Sequence, residues 1–432
     1  MVKDSIQLAN NEARLVEVSQ QKRPWIVVAA YDVSLGDSSE GYVALNILHR
    51  LAPRYRIILV TRCNNRDRLL ATRQFSKACP GVRVIGFDLP KWARWWKRGA
   101  RFYGLYAYLW QLSWPVAFQD RVRLIQQVRL LHVLNFHNDS IPSFAWMLRR
   151  PVVWGPINHH EPVPSWRREF WPVLLSVRHR ASFLLRQIAW RIDPFLQSFA
   201  RKASVILSAG PWVDRRLRLG PEARILRLSQ LGVSPSDFPF RPKSSQVNES
   251  RNGVLLVHAG RLDWLKGVDL AIEALAKLPE GYRLLLIGKG PAESRLRALA
   301  EERGLKHRVE FRQPVPRAEL ARIYEEADLF LFTSPEVAGL AWIEALACGL
   351  PVAGFSGETE FCHAAEHLPA IFVAESGQSR QENINNLAAT IVRAFSTPSG
   401  RTSTREAALA RYGWSRMVSM IETAYSKALD AK

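Results

Sequence analysis

Short apolar runs alternate with amphipathic helical patterns along most of this chain, and that rhythm leaves few folds open. From Pro24 the order is "PWIVVAAYD", a loop "VSLGDSSEG", the helical pattern "YVALNILHRLAP" and a second apolar run "YRIILVTRC". "GVRVIGFDL", "RLLHVLNFH", "RPVVWGPIN" and "ASVILSAG" carry the rhythm to about residue 209. Runs that are apolar throughout need cover on both faces, so they predict parallel strands wound by helices. After a stretch rich in Ser, Pro and Asn, "SQLGVSPSDFPFRPKSSQVNESRNG", the pattern restarts with "GVLLVHAGRLDWLKGVDLAIEALAKL", "YRLLLIGKGPAESRLRALAEERGL", "RVEFRQPVPRAELARIYEEA", "DLFLFTS" and "PVAGFSG". The predicted fold class is therefore α/β, with two doubly wound, Rossmann-like domains facing across a cleft.

The 432 residues fit this division, since domains of about 100–200 residues give two or three of them. The boundaries read as an extension over 1–23, a first domain over 24–228, a linker over 229–252, a second domain over 253–412 and a final helix over 413–432. In that last segment Trp414, Met417, Ile421, Tyr425 and Leu429 recur every three or four residues, which predicts a helix with one apolar face. Four dispersed cysteines with no Cys-x-x-Cys pair argue against both a disulfide framework and a zinc site, and fit a reducing compartment. The polar N-terminus lacks the apolar core of a secretory signal.

Charge is unevenly placed. The formal net charge is +21; residues 1–230 hold 36 Lys and Arg against 15 Asp and Glu, whereas residues 231–432 hold 24 of each. A one-sided excess of this size predicts that the first domain faces a polyanion, either nucleic acid or an anionic membrane leaflet. A basic surface that only aids solubility is the plainer alternative.

Three segments carry candidate chemistry. "TSPEVAGLAWIEALACG" sets Glu336 on a loop after a predicted strand and Glu344 inside a helix that begins near Gly339. Free N–H groups at such a helix start favour a phosphate, and carboxylates nearby can accept hydrogen bonds from ribose or sugar hydroxyls. Taken alone, the pair fits a surface acid and a helix-dipole partner as well. "HAGRLDWLKG" follows another strand and places Arg261 and Lys266 where two cations could neutralise a diphosphate, a poor leaving group until its developing charge is met. "LLLIGKGPAE" has a glycine turn but no third glycine at dinucleotide spacing, which disfavours hydride transfer.

The order "GRLDWLKG", "IGKGPAESRL", "VEFRQPVPRAELARIYEEADLFLFTS", "PEVAGLAWIEALACGLPVAG" resembles the donor domain of family 4 of the retaining glycosyltransferases, which have the GT-B fold. The likeness spans roughly residues 253–360 and continues more weakly through "HVLNFHNDSIPSFAWMLRRPVVWGPINHHE" and the final "YGWSRM" helix. It implies a nucleotide-sugar donor, with Arg261 and Lys266 on its diphosphate, Glu344 on the ribose, and Glu336 with the backbone near Gly339 and Leu340 on the transferred sugar. It also implies that Gly260 lines the donor site, that Pro314 and Val315 border the base, that Gly36 contacts phosphate, and that His160 rather than His159 approaches the donor sugar. No metal or other cofactor is implied, because the two cations take the place of a divalent ion. The chain departs from the family at Gln313, at "LGVS" over 231–234, and at the single glycine Gly36.

"KWARWWKRGARFYGLYAYLWQLSWPVAF" contains Gln111, Ser113 and Pro115, too polar a run for a spanning helix. Lys91 to Arg101 reads as a basic, Trp-bearing interfacial helix, while Tyr106 to Trp114 reads as core. "RREFWPVLLSVRHRASFLLRQIAWR" adds a second basic segment. The leading expectation is a transferase acting on a glycan or lipid-linked acceptor in surface polysaccharide or lipopolysaccharide synthesis, peripheral at the inner face of the membrane, without a nucleic-acid partner. A basic nucleic-acid-binding protein and a catalytically silent transferase-like scaffold are the alternatives.

Overall fold

The computed structural model describes residues 23–35, 39–97, 99, 102–119, 126–135, 139–159, 161–220, 223–239, 253–335, 339–357, 359–397 and 399–431. Gly36, His160 and Glu336 lie outside the described residues. The chain forms two compact units, the first from residues within 1–157, 190–230 and 418–432, the second from residues within 158–189 and 231–417.

The first unit is built on seven parallel strands: β1 (Trp25–Ala30), β2 (Arg56–Thr61), β3 (Arg83–Gly86), β4 (Val128–Asn135), β5 (Val152–Ile157), β6 (Val205–Ser208) and β7 (Ile225–Arg227), in the order β3-β2-β1-β4-β5-β6-β7. All six residues of β1 and of β5 are buried, as continuous apolar runs require in a sheet covered on both faces. The helix Tyr103–Gln119 buries Tyr106, Trp110 and Trp114, so this part of the aromatic run is core. Residues of the helix Trp414–Leu429 join the same unit: the Tyr425 hydroxyl lies 2.7 Å from His132 Nδ1, and Arg54 pairs with Glu422. His132 is fully buried, and burial pulls its pKa down to about 4.

The second unit has six parallel strands: β8 (Val254–Ala259), β9 (Tyr282–Ile287), β10 (Val309–Arg312), β11 (Leu329–Phe332), β12 (Val352–Phe355) and β13 (Ile371–Ala374), in the order β10-β9-β8-β11-β12-β13. Alternation along each strand divides the core. Leu256, Leu284, Leu286, Leu329 and Leu331 pack with the helices Val268–Leu275 and Arg380–Ser396, while Val257, Leu285, Ile287, Phe330 and Phe332 pack with Arg317–Glu326 and Leu340–Ala347.

Two segments sit differently from their reading in sequence. Residues 158–189 group with the second unit because Trp166 enters its core and Phe170 packs against it; residues 231–238, read as linker, contribute Leu231, Val233 and Phe238 to the same unit. The described residues between Lys91 and Arg101 do not form the interfacial helix: Lys91–Ala93 makes one 3-10 turn, with Trp92 and Trp95 exposed. Trp96 instead turns inward, edge-on to Phe102 and Tyr106, and its indole N–H donates to the Ala93 carbonyl. No described helix is long and apolar enough to cross a membrane.

Candidate donor site

Strand order in the second unit reverses at β8, which has β9 on one side and β11 on the other. In open α/β sheets this is where the loops after adjacent strands diverge and leave a crevice at the carboxyl ends. Gly260, Arg261 and Lys266 follow β8, and Gly339, Leu340 and Glu344 follow β11. The two groups therefore hang from neighbouring strands at the switch point.

The loop after β8 is held by its own residues. Asp263 caps a single 3-10 turn, Trp264–Lys266, its carboxylate accepting from the N–H groups of Leu265 and Lys266 at 3.0 and 3.2 Å. The same residue pairs with the largely exposed Arg261 at 2.8 Å, a surface ion pair worth less than about 1 kcal/mol. Gly267 then turns the chain with φ +63; a Cβ there would meet the Thr333 carbonyl oxygen at 2.8 Å. Thr333, just past β11, donates its hydroxyl to the Lys266 carbonyl at 2.9 Å, and its own carbonyl accepts from Arg167 at 2.6 Å. The cationic loop is thus tied to the end of the adjacent strand.

From the other side the "GKG" turn presses in. Gly288 has φ +150, and a Cβ on it would lie 1.8 Å from the Gly260 carbonyl oxygen. The backbone N–H of Leu262 donates to the Lys289 carbonyl at 3.0 Å. These glycines permit a close approach of two loops, which accounts for them without a dinucleotide fingerprint.

Arg167, which holds the Thr333 carbonyl, is almost wholly buried in the second unit. Its guanidinium stacks 4.7 Å from the Trp166 ring and 4.5 Å from Phe355, and burial lowers its pKa to about 10. Nearby, the buried Asp269 accepts from Arg380 at 2.6 Å; burial raises the Asp269 pKa and Arg380 opposes that rise. This network underlies the Lys266 loop.

Glu344 lies in the helix Leu340–Ala347, whose N-cap Gly339 packs so closely that a Cβ would sit 2.5 Å from the Phe332 ring. The Glu344 side chain is 9% exposed, and its Oε1 is 3.3 Å from Arg317 Nη2. Burial lifts its pKa to about 7, with Arg317 pulling the other way. Arg317 opens the helix that follows the Pro314–Val315 loop, so Glu344 and that loop are joined through one ion pair. Pro314 is exposed, and Val315 packs partly against the core.

Elsewhere, His159 is fully buried with Nε2 3.6 Å from Glu161. In the first unit, Asp32 and Glu40 lie at the β1 end of that sheet's own reversal; desolvation and then the Asp32 charge raise the Glu40 pKa to about 7. Sequence reasoning overlooked this pair, together with Asp263, Thr333, Arg167 and Arg317. Among the described residues, His363, Glu366 and His367 form a surface group whose ligand atoms lie within 4.8 Å of one another, as a metal ion would need.

The strand reversal at β8 thus sets a cationic loop and a buried acid after adjacent parallel strands. Residues 240–408 match the family described as glycosyl transferases group 1. The chain is 29% identical over 192 residues to WcaL of Escherichia coli (strain K12), provisionally a colanic acid biosynthesis glycosyltransferase, covering 41% of this chain and 46% of that one. It is 38% identical over 125 residues to a D-inositol 3-phosphate glycosyltransferase of Mycobacterium marinum, covering 26% of each. It thus spans less than half the length of these curated relatives. Among solved structures, Anabaena HepE in complex with UDP superimposes with a TM-score of 0.63 at 17% identity, covering 93% of this chain and 99% of that one. Sucrose-phosphate synthase from Thermosynechococcus elongatus gives 0.64 at 18%, covering 95% and 100%. WaaG, a glycosyltransferase involved in lipopolysaccharide biosynthesis, gives 0.54 at 18%, covering 93% and 98%. The fold is that of the GT-B glycosyltransferases.

Proposed function

We propose that the protein is a retaining, metal-independent hexosyltransferase of glycosyltransferase family 4, moving a sugar from a nucleotide diphosphate to a glycan or lipid-linked acceptor. The observation that carries this reading is the placement of Arg261 and Lys266 after β8 and of Glu344 after β11, the two strands at the switch point of the segment that matches group 1. HepE, of like fold, was solved with UDP, which supports a nucleotide-sugar donor. WcaL and WaaG are tied to colanic acid and lipopolysaccharide, which supports a role in surface polysaccharide assembly.

In this reading Glu344 accepts hydrogen bonds from the ribose diol while Arg261 and Lys266 face the diphosphate. Glu336 and the backbone at Gly339 and Leu340 hold the sugar, Gly260 lines the donor pocket, Pro314 and Val315 flank the base, Gly36 meets phosphate, and His160 approaches the sugar. The bond from the anomeric carbon to the β-phosphate oxygen breaks as the acceptor oxygen bonds to that carbon from the same face. The acceptor's proton passes to the departing phosphate oxygen, whose charge the two cations offset. The basic first half is assigned to the acceptor. A lipid-linked acceptor would hold the protein at the inner face of an anionic membrane.

Thermal shift and product analysis across UDP-, GDP- and ADP-sugars test the reading, with EDTA present and absent. A donor should raise the melting temperature, Lys266→Ala and Glu344→Ala should abolish that rise, and NMR of the product should show the donor's anomeric configuration. Inversion would refute retention. Activity lost to EDTA and restored by a divalent ion would refute metal independence, and no response to any nucleotide would leave the scaffold alternative.

A further inference from the structure

The helix Val173–Ile192 presents an apolar face to solvent along its whole length. Leu174, Val177, Leu184, Leu185, Ile188 and Ile192 are all exposed, Leu174 by 80%, Ile192 by 71% and Leu185 by 68%. At 3.6 residues per turn these side chains fall within an arc of about 100°. Arg180 and Arg191 border that arc on one side and Arg178 on the other, and the helix contains four arginines and no acidic residue. Within the second unit its opposite face is anchored: His179 accepts from the Val163 N–H at 3.3 Å while packing edge-on to Trp171.

Exposed leucines seldom cluster this way on a folded surface, and a patch of this kind marks something that covers it. Two occupants fit an apolar stripe. A second copy of this helix would bring arginine rows of like sign together with no carboxylate within either helix to meet them. A bilayer bearing anionic lipid satisfies both features at once, since the stripe enters the acyl boundary while the flanking arginines extend to phosphate headgroups. The helix does not qualify as a membrane span, which leaves it to lie in the plane of the interface.

We propose that Val173–Ile192 is an in-plane membrane anchor specific for anionic lipid. The inference deepens the reading of a lipid-linked acceptor and rests on that reading for its purpose; it names this helix, and not the Lys91–Arg101 segment, as the docking element.

Vesicle flotation of the full chain tests it, with phosphatidylcholine alone and with about one third phosphatidylglycerol. The wild-type protein is expected to float with the anionic vesicles and much less with the neutral ones. Leu184→Glu/Leu185→Glu should cut the bound fraction on anionic vesicles at least tenfold, and Arg178→Gln/Arg180→Gln/Arg191→Gln should remove the preference for them. Trp92→Ala/Trp95→Ala should leave binding unchanged. Flotation of the leucine variant equal to wild type would overturn the assignment, as would a wild-type protein that stays at the bottom of the gradient. So would a wild-type dimer by light scattering that the leucine variant makes monomeric. Nucleotide-induced thermal shift, measured on the same proteins, reports fold and donor binding separately. Its absence in wild type would defeat the donor reading, while the vesicles still decide the helix.

Discussion

Replacing Glu344 by Gln removes one buried charge and leaves shape almost unchanged, so its effect on stability can be worked out with sign. The folded-state pKa is raised to about 7 from the ordinary 4.5, chiefly by burial. A carboxyl shifted upward stabilises the fold fully only below its unfolded value. As pH climbs from about 4.5 to about 7 the unfolded chain sheds its proton first, and wild type loses stability relative to a residue that never ionises. Above that window the deficit is constant, at about 3 kcal/mol for a shift of this size. Chemical denaturation at pH 4, 6 and 8 checks it. Near pH 4 the two proteins should match, and at pH 8 Glu344→Gln should be the more stable by up to about 3 kcal/mol. Arg317 gives up its ion pair with Glu344 in the variant, and at 37% exposure water can solvate it. If the proposed ribose contact is correct, the stabilised variant binds nucleotide diphosphate more weakly at pH 8, trading affinity for stability. A difference that does not change with pH, or a variant less stable at pH 8, would refute burial as the cause of the raised pKa.

Arg261→Ala should leave the melting temperature of the unliganded protein nearly unchanged, because its pair with Asp263 is exposed, yet weaken nucleotide diphosphate binding roughly tenfold or more, read by titration calorimetry. Gly288→Ala should destabilise the protein severely, by about 3 kcal/mol or more, since backbone must move away from the new methyl group; a denaturant midpoint close to wild type would contradict this. Thr333→Val removes the bond to the Lys266 carbonyl and should cost about 1 kcal/mol in stability while loosening donor binding, seen by melting with and without nucleotide. Burial holds His132 neutral, with its pKa near 4, so its contribution should weaken as pH falls from about 6.5 towards 4; His132→Gln should flatten that part of the acid-unfolding profile.

Strands β1 to β6 and β8 to β12 are legible because each is a short β-rich run bounded by turn signals, although the edge strands β3 and β10 are only partly covered. The edge strands β7 and β13 escaped: Ile225–Arg227 has only three residues, and Ile371–Ala374 has four in a stretch without strong alternation. The candidate donor residues Arg261, Lys266 and Glu344 stand out by charge and spacing beside predicted strands. Their supports do not. Asp263 three positions before Lys266 is a capping signal that the sequence does carry. Thr333, Arg317 and Arg167 act through partners distant in sequence, Arg167 being 166 positions from the carbonyl it holds, and no local pattern announces such a bond. The Lys91–Arg101 segment misled because its alternating Trp and basic residues mimic an amphipathic helix, whereas Trp96 is drawn inward against Phe102 and Tyr106.

His132 and Tyr425 are 293 positions apart, yet their side chains meet inside a single unit. During synthesis, the sheet that contains β1 must wait about 400 residues for Tyr425, with the buried His132 held meanwhile only by its contact with the Gly155 carbonyl at 2.7 Å. Such late closure makes long-range pairing the slow event and leaves the half-finished domain open to chaperones and proteases in the interval. Cutting the polypeptide at any single point would not yield both units whole.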